Sequence, residues 1–198
     1  QTNIKIYMKK ILTIIFVLTI FQSFSKADDI RDFQLEGISV GDSLLDHFSK
    51  KKINENRLNY DYGKKGFYAT SFYKEKFFDK YESLEIHLKD NDNSFLIYSV
   101  DALIFYDNID DCYKKQNEIK DSISSIFENT KRIDAGFKKL NGDKSGKSST
   151  KAYYWQTKEG FVTLECYDWS NEITEKFSWT DNLRISVINN ELNNWLTN

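Results

Sequence analysis

The sequence predicts an α+β domain, an antiparallel sheet with helices on one face, built in the order helix-strand-strand-strand twice and closed by one disulfide. Three observations predict it. Apolar residues recur at helical spacing in one long segment and alternate with polar ones in several short segments. Tight polar turns join consecutive alternating segments, which makes those strands antiparallel. Two cysteines, and only two, stand in the chain at Cys112 and Cys166.

Glycines mark the turns in a chain of 198 residues that has no proline. Asp42 or Ser43 caps a short helix reaching about Ser49, with Leu44, Leu45 and Phe48 on one side. Three strand-like runs follow, at 67–73, 83–89 and 94–106. In the second, Leu84, Ile86 and Leu88 share one face and Glu85, His87 and Lys89 the other. Asp90 to Asn93 is the turn between the last two runs.

The clearest helix comes next. Asp110 and Asp111 complement the dipole at its start, and Cys112, Ile119, Ile123, Ile126 and Phe127 repeat at helical spacing. A polar loop over 136–150 leads to a second set of runs at 152–157, 161–168 and 183–188. Lys158-Glu159-Gly160 is a hairpin turn between two of them. The tail, 190–197, forms a last helical turn around Leu192, Trp195 and Leu196.

The first 27 residues read differently. Lys9-Lys10 precedes an apolar run from Ile11 to Phe21, and Ser25-Lys26-Ala27 is a small-x-small site. That order is a secretory signal peptide cut between Ala27 and Asp28. The run is too short to cross a bilayer, which takes about 20 residues. Met8 is the only methionine, so translation is expected to start there, with the residues before it upstream sequence. Residues 28–198 then form one domain, periplasmic or secreted, without a stable membrane anchor.

Removal of the leader leaves 24 basic side chains against 30 acidic ones, a net charge of −6. Such a domain has no electrostatic footprint for nucleic acid. Aromatic residues make up 16% of the chain, too many for a disordered segment and enough for a dense core. In an oxidising compartment Cys112 and Cys166 are expected to pair. The spacing is far from the C-x-x-C of redox pairs, so the bond reads as structural, pinning helix to sheet.

Several motifs fall short of the chemistry they suggest. Asn141 to Ser148 approaches a phosphate loop, but asparagine stands where the first glycine belongs, and the segment follows a helix and precedes a strand. What is left is a candidate anion loop at Lys144, Gly146, Lys147 and Ser148. Asp90 to Asp101 starts like a calcium loop but has Phe95 at the position that needs glycine. His47 and His87 belong to no metal spacing and are expected to face solvent. No metal or other cofactor is expected.

The segment from Glu165 to Trp179 is read as an acidic loop and as the candidate binding surface, through Asp168, Trp169 and Trp179. Amphipathic rings on a loop suit recognition. The alternative is that both tryptophans pack on the sheet edge as core.

The segments GISVGDSLLDHFSK (Gly37 to Lys50), DKSGKSST (Asp143 to Thr150) and CYDWS (Cys166 to Ser170) resemble a set of small exported proteins from marine alphaproteobacteria. That set has no assigned activity, so the resemblance implies location alone. The stretch from Ile38 to Phe48, a glycine and then a capped helix, is similar in pattern to the first helix of the beta-lactamase-inhibitor-protein fold. That likeness implies a protein-binding envelope domain, not an enzyme. This chain lacks the second disulfide and the lipid-bearing cysteine found there.

The reading that results is a non-catalytic binding domain of the periplasm or exterior, contacting a protein or a small ligand. Two alternatives stand beside it. One is an envelope hydrolase using acids among Asp101, Glu165 and Asp168. The other is a structural envelope subunit. Paired carboxylates in a deep pocket, one with a raised pKa, favour the enzyme. A flat apolar patch favours docking.

Overall fold

The structure is a computed structural model and describes residues 29–198. The expected leader, its cleavage site at Ala27 and Asp28 and the Met8 start lie outside the described residues. Among the described residues, no helix is long and apolar enough to cross a membrane.

Seven strands form one antiparallel sheet: β1 (Phe67–Tyr73), β2 (Ser83–Lys89), β3 (Ile97–Phe105), β4 (Arg132–Lys139), β5 (Ser149–Gln156), β6 (Gly160–Asp168) and β7 (Asn182–Asn189). Their spatial order is β1-β2-β3-β7-β6-β5-β4. Helix α1 (Lys50–Glu55) precedes β1, and α2 (Ile109–Ile126) links β3 to β4. Helix α3 (Asn171–Phe177) lies between β6 and β7, and α4 (Asn190–Thr197) ends the chain.

The α+β class, the antiparallel sheet and the disulfide agree with the sequence reading, and the order of elements departs from it. The expected first helix is instead a 3-10 turn at Leu44–Asp46, followed by α1, whose cap is Ser49 accepting from the Lys52 amide. The second half holds four strands and an inserted helix. Strand β4 covers part of the expected polar loop. It is an edge strand, exposed along most of its length and bulged between Asp134 and Gly136, so no apolar alternation announces it. Helix α3 replaces the expected loop after Trp169. Ser170 caps it, accepting from the Ile173 amide, and Ser178 closes it in the left-handed region at φ 57°.

One face of the sheet is dry. Leu84, Ile86 and Leu88 of β2, Val100 and Ala102 of β3, Leu183, Ile185 and Val187 of β7, and Val162, Leu164 and Cys166 of β6 share it by alternation. Helix α2 covers this face with Cys112 and Ile123. Its buried Gln116 donates to the carbonyls of Lys151 (2.7 Å) and Leu164 (3.1 Å). The Cys112–Cys166 disulfide joins helix and strand with Cα atoms 6.0 Å apart. The 29–49 segment completes the layer through Ile30, Leu35, Ile38, Leu44 and Phe48.

The expectation of helices on one face is corrected here. Ile188 alternates with Arg184 and Ser186 onto the opposite face, and α4 packs there, with Leu192 and Trp195 against Phe67, Tyr98 and Ile188. The segment 57–66 crosses the same face. Two layers therefore cover the sheet, and the second is incomplete.

Candidate functional site

The incomplete cover leaves a cleft of about 950 Å³ over β2, β3, β7 and β6. Strand register dictates its floor. Glu85 stands directly opposite Asp101, His87 opposite Ser99, Asp101 opposite Ser186 and Glu165 opposite Arg184. Like charges opposed across a sheet destabilise it. Glu85 and Asp101 hold that arrangement while 8% and 7% exposed.

A chain of hydrogen bonds runs from the cleft wall to the floor. The Tyr62 hydroxyl lies 2.9 Å from His87 Nε2, and Ser99 Oγ lies 2.8 Å from His87 Nδ1 and donates to Asp101 Oδ2 at 3.3 Å. Because Ser99 has one proton to give, its bond to Asp101 makes His87 Nδ1 the donor to Ser99. Nε2 is then the acceptor for Tyr62 when the ring is neutral. The direct His87–Asp101 separation is 3.6 Å, so Ser99 is the bridge. His87 is 8% exposed, not solvent-facing as its alternation suggests.

The remaining acids are also capped by hydroxyls. Tyr60 donates to Glu85 Oε2 at 2.9 Å. Tyr154 and Tyr167 donate to the two oxygens of Glu165, at 3.1 and 2.9 Å. Arg184 is the exception. It lines the cleft half-buried, its Cζ 5.3 Å from the Tyr167 ring centroid, and its side chain makes no hydrogen bond or ion pair with any described residue. Its Nε is buried without an acceptor.

The two opposed carboxyls are driven apart in protonation. Burial pushes Glu85 above the usual carboxylate range, and the Asp101 charge adds to this against the pull of Arg184. Burial also works against the Asp101 charge, but His87 and Arg184 outweigh it and hold Asp101 low. Burial and Glu85 together raise the phenols of Tyr60 and Tyr62, keeping both as donors. Tyr154 is pushed up to about 12 by burial and by Glu165.

Of the sequence-predicted surface, Trp169 and Trp179 line the cleft and Asp168 does not. Asp168 falls on the Cys166 face of β6, opposite Ser149. Trp169 stacks on Tyr167 at 5.5 Å, and Trp179 lies 4.6 Å from Trp169 with Phe177 beyond it at 5.1 Å. These four rings lead from the floor to the exposed rim. Of the acids named for a hydrolase, Asp101 and Glu165 belong to the floor cluster, Asp168 is excluded, and Glu85 joins it. Only the Glu85/His87 alternation hinted at that cluster in the sequence.

The candidate anion loop supplies its own anion. The Asp143 carboxylate accepts from the amides and hydroxyls of both Ser145 and Ser148, at 2.7–2.8 Å. The Gly146 amide donates to the Asp143 carbonyl and the Lys147 amide to Ser145 Oγ. The amides of Ser145, Gly146, Lys147 and Ser148 are thus engaged within the turn itself.

Glu85, His87 and Asp101 offer donor atoms within 4.8 Å of one another, a grouping that could hold a metal ion and that no sequence spacing displays. Both His87 ring nitrogens are already engaged, by Tyr62 and by Ser99, so neither is open as a ligand. The cluster fits a proton-sharing polar site better than a metal centre.

Comparison with protein-family models, with curated proteins and with solved structures finds no match.

Proposed function

We propose that the protein is an exported, non-catalytic binding domain whose cleft takes a small organic cation. One observation carries the reading. The cleft is lined by the carboxyls of Asp61, Glu82, Glu85 and Asp101 against the single guanidinium of Arg184, within aromatic walls that include Tyr60, Tyr62, Tyr167, Trp169 and Trp179. Acids and ring faces together recognise ammonium groups. The volume suits a small molecule. Export is supported by the leader pattern and by the Cys112–Cys166 bond, which belongs in an oxidising compartment.

The test is titration calorimetry and tryptophan fluorescence of the oxidised protein with a series of primary and quaternary amines. Saturable binding that Trp169→Ala and Glu85→Gln each weaken about tenfold or more supports the reading. A series that binds no more tightly than its uncharged isosteres ends it. One observation favours a second reading, a hydrolase: Glu85 and Asp101 are opposed carboxyls with diverging protonation, a pattern that acid–base catalysis uses. Turnover of any ester or glycoside that is lost in both Glu85→Gln and Asp101→Asn would favour it.

A further inference from the structure

Glu85, Asp101 and Glu165 each have a hydroxyl donor, and the Arg184 side chain beside them has no acceptor among the described residues. Tyr154 and Tyr167 occupy Glu165, the direct cross-strand neighbour of Arg184. Ser99 donates to Asp101, and Tyr60 to Glu85. Arg184 therefore keeps an unengaged planar fork facing the cleft and a buried Nε without a partner. Buried donors left unmatched are rare in folded proteins and call for an explanation. A guanidinium fork matches a carboxylate, two N–H groups to two oxygens.

Three ligand charges can be compared on this floor. A free anion pairs with Arg184 but meets Glu85, Asp101 and Glu165 at close range. A free cation satisfies the acids and leaves Arg184 as it is. A ligand carrying both charges satisfies both. The register makes them neighbours: Asp101 stands opposite Ser186, so it is the diagonal neighbour of Arg184, their backbones about 7–8 Å apart along the face. Their side chains extend over one floor, so a ligand with a carboxylate and an ammonium on the same carbon can reach both through hydrogen bonds of about 3 Å. The rings of Tyr167, Trp169 and Trp179 rise beside it and suit an aromatic or large apolar substituent.

We infer that the ligand is a small zwitterion of the α-amino-acid type, its carboxylate on Arg184, its ammonium on the Glu85–Asp101 pair and its apolar group on the ring wall. The inference rests on the organic-cation reading and adds the carboxylate to it.

Calorimetry on the oxidised protein with three probes separates the two. The probes are phenylalanine, phenethylamine, which lacks the carboxylate, and 3-phenylpropionate, which lacks the ammonium. Phenylalanine is expected to bind at least about tenfold more tightly than either, since each truncation leaves a charged partner unmatched. Arg184→Met should remove the preference for phenylalanine over phenethylamine. Arg184→Lys, which keeps the charge and loses the fork, should reduce that preference and serves if the Met variant does not fold. Phenethylamine binding as tightly as phenylalanine overturns the zwitterion and leaves the cation reading standing. Phenylpropionate binding as tightly as phenylalanine, or no probe binding at all, overturns both.

Discussion

Glu85 is held where its own charge is unwelcome. It faces Asp101 across the sheet at 8% exposure, and its carboxyl is raised by burial first and by Asp101 second. The sign for stability follows from linkage. A carboxyl raised on folding binds its proton more tightly in the folded chain than in the unfolded one. Stability therefore falls as pH rises from the ordinary glutamate range through the folded value. Glu85→Gln keeps an acceptor for Tyr60 and discards the charge. It should raise Tm at about pH 7, and the gain should vanish at about pH 4, where the wild-type carboxyl is protonated. Thermal melts of both proteins across that range check it. A variant less stable than wild type at neutral pH would mean that the Glu85 charge supports the fold. The same substitution weakens amine binding in the proposed function, so stability and affinity should move in opposite directions.

The elements that repeat with a clean period were legible in the sequence, and the others were not. Strand β2 and helix α2 bury a regular set of apolar side chains, and the pairing of Cys112 with Cys166 follows from their number and from where each stands. Strand β4 was illegible because it buries little: its pattern of lysines, Asp134 and a bulge at Gly136 is that of a loop. The site was half legible. Alternation put Glu85 and His87 on one face, but nothing local says that Tyr60 and Tyr62, from 57–66, lie across it. Alternation tells which residues share a face and is silent on whether that face is covered. Trp169 and Trp179, singled out for their chemistry, line the cleft, whereas Asp168 lies on the other side of β6 from the cleft. At this scale the disulfide is the element with the largest separable effect. It closes a loop spanning a sequence separation of 54, worth on the order of 4 kcal/mol in the chain-entropy account. The variant Cys112→Ala/Cys166→Ala should lose about that much in urea unfolding, and the wild type should show no free thiol. A loss under about 1 kcal/mol would show that α2 holds to the sheet without the bond.

Across the whole molecule the sheet divides labour between its faces. The dry face carries the stability: Trp155 is fully buried there, with its Nε1 donating to Ser124 Oγ at 3.2 Å. The wet face carries the cleft, and its cover is a thin layer of loop and α4 tied by aromatic contacts. Trp195 is central to that cover. It packs 5.2 Å from Tyr62 and 5.1 Å from Phe67, donates to the Lys65 carbonyl, and accepts Lys64 at its own carbonyl. Gly66 is locked beneath it at φ 139°, where an added Cβ would lie 2.8 Å from the indole nitrogen. Tyr62 in turn reaches His87, so the position of Trp195 is transmitted to the floor. Truncating each tryptophan should separate the two roles. Trp155→Ala should cost about 3–5 kcal/mol, the range for large buried rings, and leave the affinity of the folded fraction unchanged. Trp195→Ala, half-buried, should cost on the order of 2 kcal/mol and weaken binding in the cleft, because Tyr62 loses its support. The double variant should be additive in stability, since the two sites lie on opposite faces without a shared partner. Calorimetry at a temperature where all three variants remain folded, together with urea melts, reads both quantities. Equal loss of affinity in Trp155→Ala and Trp195→Ala would show that the faces are not independent, and that the cleft is shaped by the core rather than by its cover.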